Sequence, residues 1–281
     1  MEEYIDNEPH NLDKGNSLFD KINILKRYSI IKLENPNIKE EIKKLKLDIL
    51  KDLSKYDKKT GSWLSKLIKR VMNTHGKYVN LKELETKYKT EDKDIIAKKL
   101  INYYSNYAIA TGAVLGSTGG ILGFVTAASS TFGEMVCLTY FQLCLIYDLS
   151  VVFERKLSEV SFEEVYIVIS RGLNCSDGNM IKDSINEAID EGSKIIDNRL
   201  NKNVSSEIPK FLQDMSKELG VKIMERSIRN LLSKVIPLFG AASGAVVCAA
   251  SDYKSTRYVG KRIIGYYGSK ELLNQLDISG M

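Results

Sequence analysis

The chain has 281 residues, 43% of them hydrophobic and 27% charged, and a formal net charge of +5. That length supplies one large domain or two small ones. The composition excludes a disordered chain, a collagen and a disulfide-rich miniprotein. Glycine and proline are unevenly placed: none of the four prolines lies between Pro36 and Pro209, and six of the nineteen glycines fall within residues 112–133. The long proline-free stretch favours helices. The glycine cluster sits where helix propensity alone would not put it.

Charge divides along the chain. Residues 37–110 carry a net +8 and residues 231–281 a net +3, against −2 for residues 1–36 and −4 for residues 111–230. A basic stretch faces solvent, an anionic membrane or nucleic acid; no nucleic-acid partner is expected here. The acidic start, Met1 to Asp6, has no apolar run of the signal-peptide kind, so cytoplasmic placement is expected. Cys137 and Cys144 are about 10 Å apart along a helix, too far for a disulfide. With Cys175 and Cys248 they read as small apolar residues in a reducing compartment.

Residues 1–36, with breakers at Pro9 and Pro36, read as a partly ordered N-terminal arm, and residues 37–281 as a single helical domain. Over 37–56, Ile38, Ile42, Leu45, Ile49 and Leu53 recur at three and four, the period of an amphipathic helix. Residues 62–74 repeat the pattern between Gly61 and Gly76, with Trp63, Leu64, Leu67 and Ile68 on one side and Lys66, Lys69 and Arg70 on the other. Asn80 to Tyr88 forms a short helix or turn. Residues 91–110 open with Glu91, Asp92 and Asp94, which suit a helix N-terminus. Residues 107–133 contain no charge, and after Glu134 the apolar texture continues to Tyr147 and ends at Asp148. Residues 161–173, 178–200 and 207–234 read as helices, the first opened by a capping box of Ser161 and Glu164. A second uncharged run, Val235 to Ser251, precedes a basic, tyrosine-bearing helix from Asp252 to Tyr267. No strand alternation competes, so the fold class is all-α, a compact multi-helix bundle with glycine-rich apolar hairpins.

Familiar site chemistry is missing. The two histidines, His10 and His75, support neither a zinc cluster nor a Ser-His-Asp arrangement, and His75 reads as an imidazole meeting free carbonyls at a helix end. The segment G-S-T-G-G-I-L-G lacks the lysine of a phosphate loop. No cofactor, metal site or catalytic residue is expected, and the sequence sets no oligomeric state.

The glycines instead form stripes. Gly112, Gly116 and Gly120, the pair Gly119 and Gly123, and Gly240 with Gly244 recur at the spacing that lets a second helix backbone approach. The two stripes are expected to pack on each other or on the helix from 131 to 155, with a break at Gly119 and Gly120. The first run is long enough to span a bilayer, but 13 of its 27 residues are Gly, Ser or Thr. Glu134 also interrupts the apolar stretch. A soluble buried hairpin is thus favoured over a membrane-inserted one. The flanks point to a membrane surface: Tyr103 and Tyr104 before the first run, Tyr258, Lys261 and Arg262 after the second, and Trp63 with Lys66, Lys69 and Arg70. Glu134 and Asp148, about 21 Å apart on one helix face, are expected to be buried charges that each pair with a base such as Lys234, Arg257 or Arg262, or cap a helix.

Residues 110–124 (A-T-G-A-V-L-G-S-T-G-G-I-L-G-F), Glu134 and the helix C-L-T-Y-F-Q-L-C-L-I-Y-D (137–148) resemble the central motif of the EcsC family. The segments K-V-I-P-L-F-G-A-A-S-G-A-V-V (234–247) and Y-V-G-K-R-I-I-G-Y-Y (258–267) resemble its C-terminal motif. Glu134 stands where the family often has Asp, and Cys248 where Asn is common. The resemblance implies a bacterial, membrane-associated helical protein in an ABC-transporter-linked setting, with no catalytic residue. The expected function is non-enzymatic attachment to the cytoplasmic membrane face, with anionic membrane or lipid as partner and a membrane transporter as the further partner the resemblance implies. The alternative is a soluble protein binding a lipid or other apolar ligand in a groove lined by small residues. An enzyme using Glu134 or Asp148 is the third reading.

Overall fold

A computed structural model describes residues 35–116, 124–155, 217–225 and 241–267, together with residues 27, 157, 165, 168–170, 172 and 173. The protein is an all-α bundle. The first predicted helix divides in two. Helix α1 spans Ile38–Lys51 and buries Ile38, Ile42 and Ile49. It stops because Ser54 restarts the chain as α2 (Lys55–Thr60): the Ser54 hydroxyl accepts from the Asp57 backbone N–H, and the Asp57 carboxylate accepts from the Ser54 N–H. Gly61, at φ +75°, ends α2 in the left-handed conformation that glycine adopts without cost. Helix α3 follows (Trp63–Val71) and widens into one π-helical turn, Met72–Gly76.

The short helix or turn expected over Asn80 to Tyr88 forms as helix α4 (Leu81–Tyr88), opened by the Asn80 side chain accepting from the Glu83 N–H. Helix α5 (Lys93–Gly116) is capped by Asp92, whose Oδ1 accepts from the Asp94 and Ile95 N–H groups. Helices α6 (Phe124–Val152) and α7 (Ala241–Tyr267) follow. The second uncharged run and the basic helix after it are therefore one element from Ala241 onward.

Helices α5 and α6 run antiparallel, the Tyr107 and Phe141 rings lying 5.3 Å apart. Helix α7 runs antiparallel to α5, with Gly112 facing Ala249 and Gly260 facing Ile101. It runs alongside α6, from Gln142 Nε2 donating to Ser255 Oγ (3.1 Å) to Tyr267 Oη donating to Ser150 Oγ (2.8 Å). The segment Phe132–Val152 is long and apolar enough to cross a membrane by length and composition, yet most of it is buried inside the protein. Its coverage explains the absence of amphipathic periodicity: a helix enclosed on all sides needs no polar face. Ile38 and Ile42 of α1 close one end of this core against Ile109, Val114, Cys137 and Ala249.

The expected packing of one glycine-bearing run on the other is found at Gly112. A Cβ there would sit 2.6 Å from Ala249 N and 2.7 Å from its Cα. The space a side chain would fill is occupied by the α7 backbone, so Gly112 lines no ligand groove. Gly116 and Gly244 lie in helices whose side-chain surroundings are not described; Gly119, Gly120, Gly123, Gly240 and the expected break lie outside the described residues. So do the Ser161–Glu164 capping box, residues 178–200 and most of the N-terminal arm. Of the helix expected over 207–234, residues 217–225 are helical. They cross the α2–α3 corner at Gly61 and Gly220, where each glycine faces the other segment's backbone. Among the described residues Cys137 and Cys144 are buried thiols outside any disulfide.

That corner is fixed by Asp57. Its carboxylate accepts from Lys66 Nζ (2.7 Å), Ser54 Oγ (2.6 Å) and Ser62 Oγ (2.8 Å). Burial by itself would raise the Asp57 carboxyl, but these donors together hold it well below the usual carboxylate range.

Two stability measurements follow from these contacts. Gly112→Ala should destabilise by about 1–3 kcal/mol in urea denaturation, because a helix backbone cannot yield as a side chain does. Gly133→Ala should be neutral or better, since its Cβ would meet only the flexible end of Lys46. Asp57→Asn should cost about 1–3 kcal/mol at neutral pH. Because folding lowers the Asp57 pKa, that contribution is present above the unfolded value of about 3.9 and is lost as pH falls from there toward the folded value. The gap between variant and wild type should therefore shrink below about pH 4.

Candidate functional site

The π-helical turn sets His75 against α6. Gly76 makes that approach possible: a Cβ at Gly76 would lie 2.8 Å from Tyr147 Cδ1. His75 Nε2 then reaches Asp148 Oδ1 at 2.6 Å. Tyr104 Oη, from α5, donates to Asp148 Oδ2 at 2.7 Å and lies 3.3 Å from His75 Nε2. The Asp148 side chain is 5% exposed and that of His75 28% exposed, so the imidazole is the edge of this cluster that meets solvent. An ionised Asp148 only accepts, a state that puts the hydrogen of this bond on Nε2. Nδ1 has no hydrogen-bond partner among the described residues.

The negative charge of Asp148 is felt around it. Burial, and then Asp148, push Tyr88 up to about 12 and raise Tyr104 and Cys144 well above their ordinary values. Burial chiefly, with the charges of Tyr107 and Asp148 added, also raises Tyr103. The Cys144 thiol is thereby kept protonated and unreactive. Cys137 is likewise pushed up to about 12 by burial, against the opposing pull of Lys46.

The structure corrects three sequence expectations. Asp148 is buried as expected, but its partners are His75 and Tyr104 rather than Arg257 or Arg262, and Lys234 lies outside the described residues. Glu134 is half-exposed and not a buried charge. Trp63 is fully buried, with its ring edge-on to Phe132 at 5.9 Å, and Tyr104 is buried on Asp148, so neither reaches a surface. Beside Trp63, Lys66 pairs with Asp57 and Arg70 with Asp52, which neutralises much of the basic face of α3. Lys69 is exposed, and Tyr103 is 37% exposed beneath the Lys87 ammonium. His75 was missed as a site residue. The available signal was the lone carboxylate Asp148 in a stretch without a base, which left a buried charge needing a donor from elsewhere.

A second candidate surface is the outer face of α7. Residues 253–267 hold four bases, four tyrosines and no carboxylate. Thr256, Val259, Gly260, Ile263 and Ile264 turn inward, leaving Tyr253, Lys254, Arg257, Tyr258, Lys261 and Arg262 partly exposed. The bases lie over the rings: Arg257 is 5.6 Å from the Tyr253 centroid, and Lys261 and Arg262 are 5.8 and 5.9 Å from that of Tyr258. Arg27 of the N-terminal arm approaches Tyr253 to 5.1 Å. Arg257 also donates to Asn102 Oδ1 of α5 at 3.1 Å, which ties the stripe to the core hairpin.

Among the described residues no group of three His, Cys, Asp or Glu side chains is placed to hold a metal ion. Comparison of the chain with protein-family models, curated proteins and solved structures gives no significant match.

Proposed function

We propose that the protein is a helical bundle that attaches peripherally to an anionic phospholipid surface through the outer face of α7. The observation that carries this reading is the stripe of Lys254, Arg257, Tyr258, Lys261 and Arg262, partly exposed and free of carboxylates from 253 to 267. Bases near an anionic headgroup layer contribute about 1 kcal/mol each. Tyrosine suits the same layer, because its ring is apolar and its hydroxyl polar. The mode is attachment rather than insertion: among the described residues the one helix apolar enough to span is enclosed by α5, α7 and α1, and removing it would expose the core.

The EcsC-like motifs are consistent with a cytoplasmic membrane face and with a membrane transporter as the partner there. The competing reading of a lipid groove lined by glycine is weakened at Gly112, whose missing side chain is replaced by protein backbone.

Flotation with vesicles tests this reading. The protein should rise with vesicles containing phosphatidylglycerol, stay down with phosphatidylcholine alone, and lose binding as salt is raised. Replacing Lys254, Lys261 and Arg262 together by Gln should weaken binding roughly 100-fold, at about 1 kcal/mol per base. Equal flotation of the triple variant and wild type would rule out the α7 face.

A further inference from the structure

We propose that His75 and Asp148 form a proton-transfer dyad whose working atom is His75 Nδ1, and that its ligand is a hydroxyl donor, water or an alcohol. This does not depend on membrane attachment, because the dyad is built by the π-helical turn, α5 and α6, and the basic stripe by α7.

The cluster has more organisation than a buried ion needs. A carboxylate in an apolar helix is costly unless its oxygens are hydrogen-bonded. Tyr104 satisfies one oxygen of Asp148. The other is satisfied by a residue that is itself partly in solvent and carries a second nitrogen. A serine, asparagine or tyrosine from the same turn would satisfy the carboxylate equally well without presenting a base. Only histidine both satisfies the buried charge and carries a second ring nitrogen on a side chain that is partly in solvent.

The helical wall of the site is also locally irregular. A single π-turn costs backbone hydrogen-bond geometry and is found most often where a side chain has to be aimed. Here it aims His75, and glycine at the next position lets the turn lie on the Tyr147 ring. The titratable groups around the dyad include Tyr88 from α4, Tyr103 and Tyr104 from α5, and Tyr140, Cys144 and Tyr147 from α6, with Arg70, Lys87 and Lys99 close to these rings. Tyr88, Tyr104, Tyr140 and Cys144 are all pushed upward, first by burial, and stay neutral. The His75 side chain is the part of this cluster that meets solvent.

The step is simple. The O–H bond of the bound hydroxyl breaks, its proton passes to the lone pair on Nδ1, and the oxygen keeps the bonding electrons. The resulting imidazolium holds both protons, with Nε2–H still donating to Asp148, whose negative charge stabilises it. Asp148 touches no ligand and acts as a positioning residue; Tyr104 fixes the carboxylate in turn.

The test uses the full chain carrying His10→Gln, which makes His75 the sole histidine. Imidazole nitrogen-15 spectra should show Nδ1 without hydrogen in the neutral ring, and an Nε2–H proton protected from exchange by its bond to buried Asp148. Hydrolysis of p-nitrophenyl acetate, a probe of an accessible imidazole lone pair, should exceed that by free imidazole at equal concentration. It should fall to background in His75→Gln and at least tenfold in Asp148→Asn, while Tyr104→Phe retains most of it. The proposal is overturned if Nδ1 carries the hydrogen of the neutral ring, if Nε2–H exchanges as fast as in free imidazole, or if His75→Gln hydrolyses the ester as wild type does. The spectra are recorded on protein without substitutions in the dyad, so a folding defect in a variant cannot decide the outcome.

Discussion

The close approach of the α5 and α7 backbones at Gly112 is the constraint on which the rest of the molecule depends. With Ala249 N and Cα where a Gly112 Cβ would be, α7 lies flush on α5 and covers α6 from one side. The same antiparallel register brings Gly260 against Ile101 and sets Ser105 opposite Thr256, both fully buried. Any wider separation would leave the apolar stretch 132–152 open to water along its length. Small residues therefore convert a segment with the composition of a membrane span into the enclosed axis of a bundle. Burial inside protein and burial inside lipid satisfy the same hydrophobic requirement, and backbone proximity selects the first.

Enclosing α6 creates the second constraint, because α6 carries Asp148. A carboxylate at 5% exposure requires donors on both oxygens. Tyr104 from α5 and His75 from the π-turn provide them, and in doing so dock the α3–α4 segment onto the central hairpin. Asp57 plays the corresponding part at the α1–α2–α3 corner, with Lys66, Ser54 and Ser62 as donors. Both carboxylates fix elements whose apolar contacts alone would permit sliding. They differ in access: Asp57 is closed off by groups that only hold it, whereas Asp148 communicates with solvent through an imidazole.

Much of the fold was legible in the sequence. Ile38, Ile42 and Ile49 mark the inward face of α1, Asn80 and Asp92 cap α4 and α5, and Gly112 announces a close helix contact. The division of the first helix was not legible from apolar spacing, since Leu53 continues the rhythm that the Ser54–Asp57 capping box interrupts. Trp63 misled for a related reason. An aromatic beside Lys66, Lys69 and Arg70 has the composition of an interfacial helix, but the bases lie on the opposite face and two of them are paired with Asp57 and Asp52. The His75–Asp148 contact joins residues 73 positions apart. No local pattern encodes such a pair; only the unmatched charge of Asp148 hinted that a partner had to exist.

These features give one picture: a core closed on itself where small residues let α5 and α7 meet, with a basic, tyrosine-bearing stripe on the outside of α7. The chain has a single tryptophan, Trp63, and it is fully buried against Phe132. Its fluorescence therefore reports whether the core stays closed on a membrane. The most direct measurement is quenching of Trp63 by lipids brominated along the acyl chain, in anionic vesicles to which the protein has been shown by flotation to bind. Emission unchanged on binding and unquenched by the brominated lipid is the predicted result. Strong quenching by the acyl-chain bromines would show that the bundle opens into the bilayer, and would contradict a closed core that attaches by its surface.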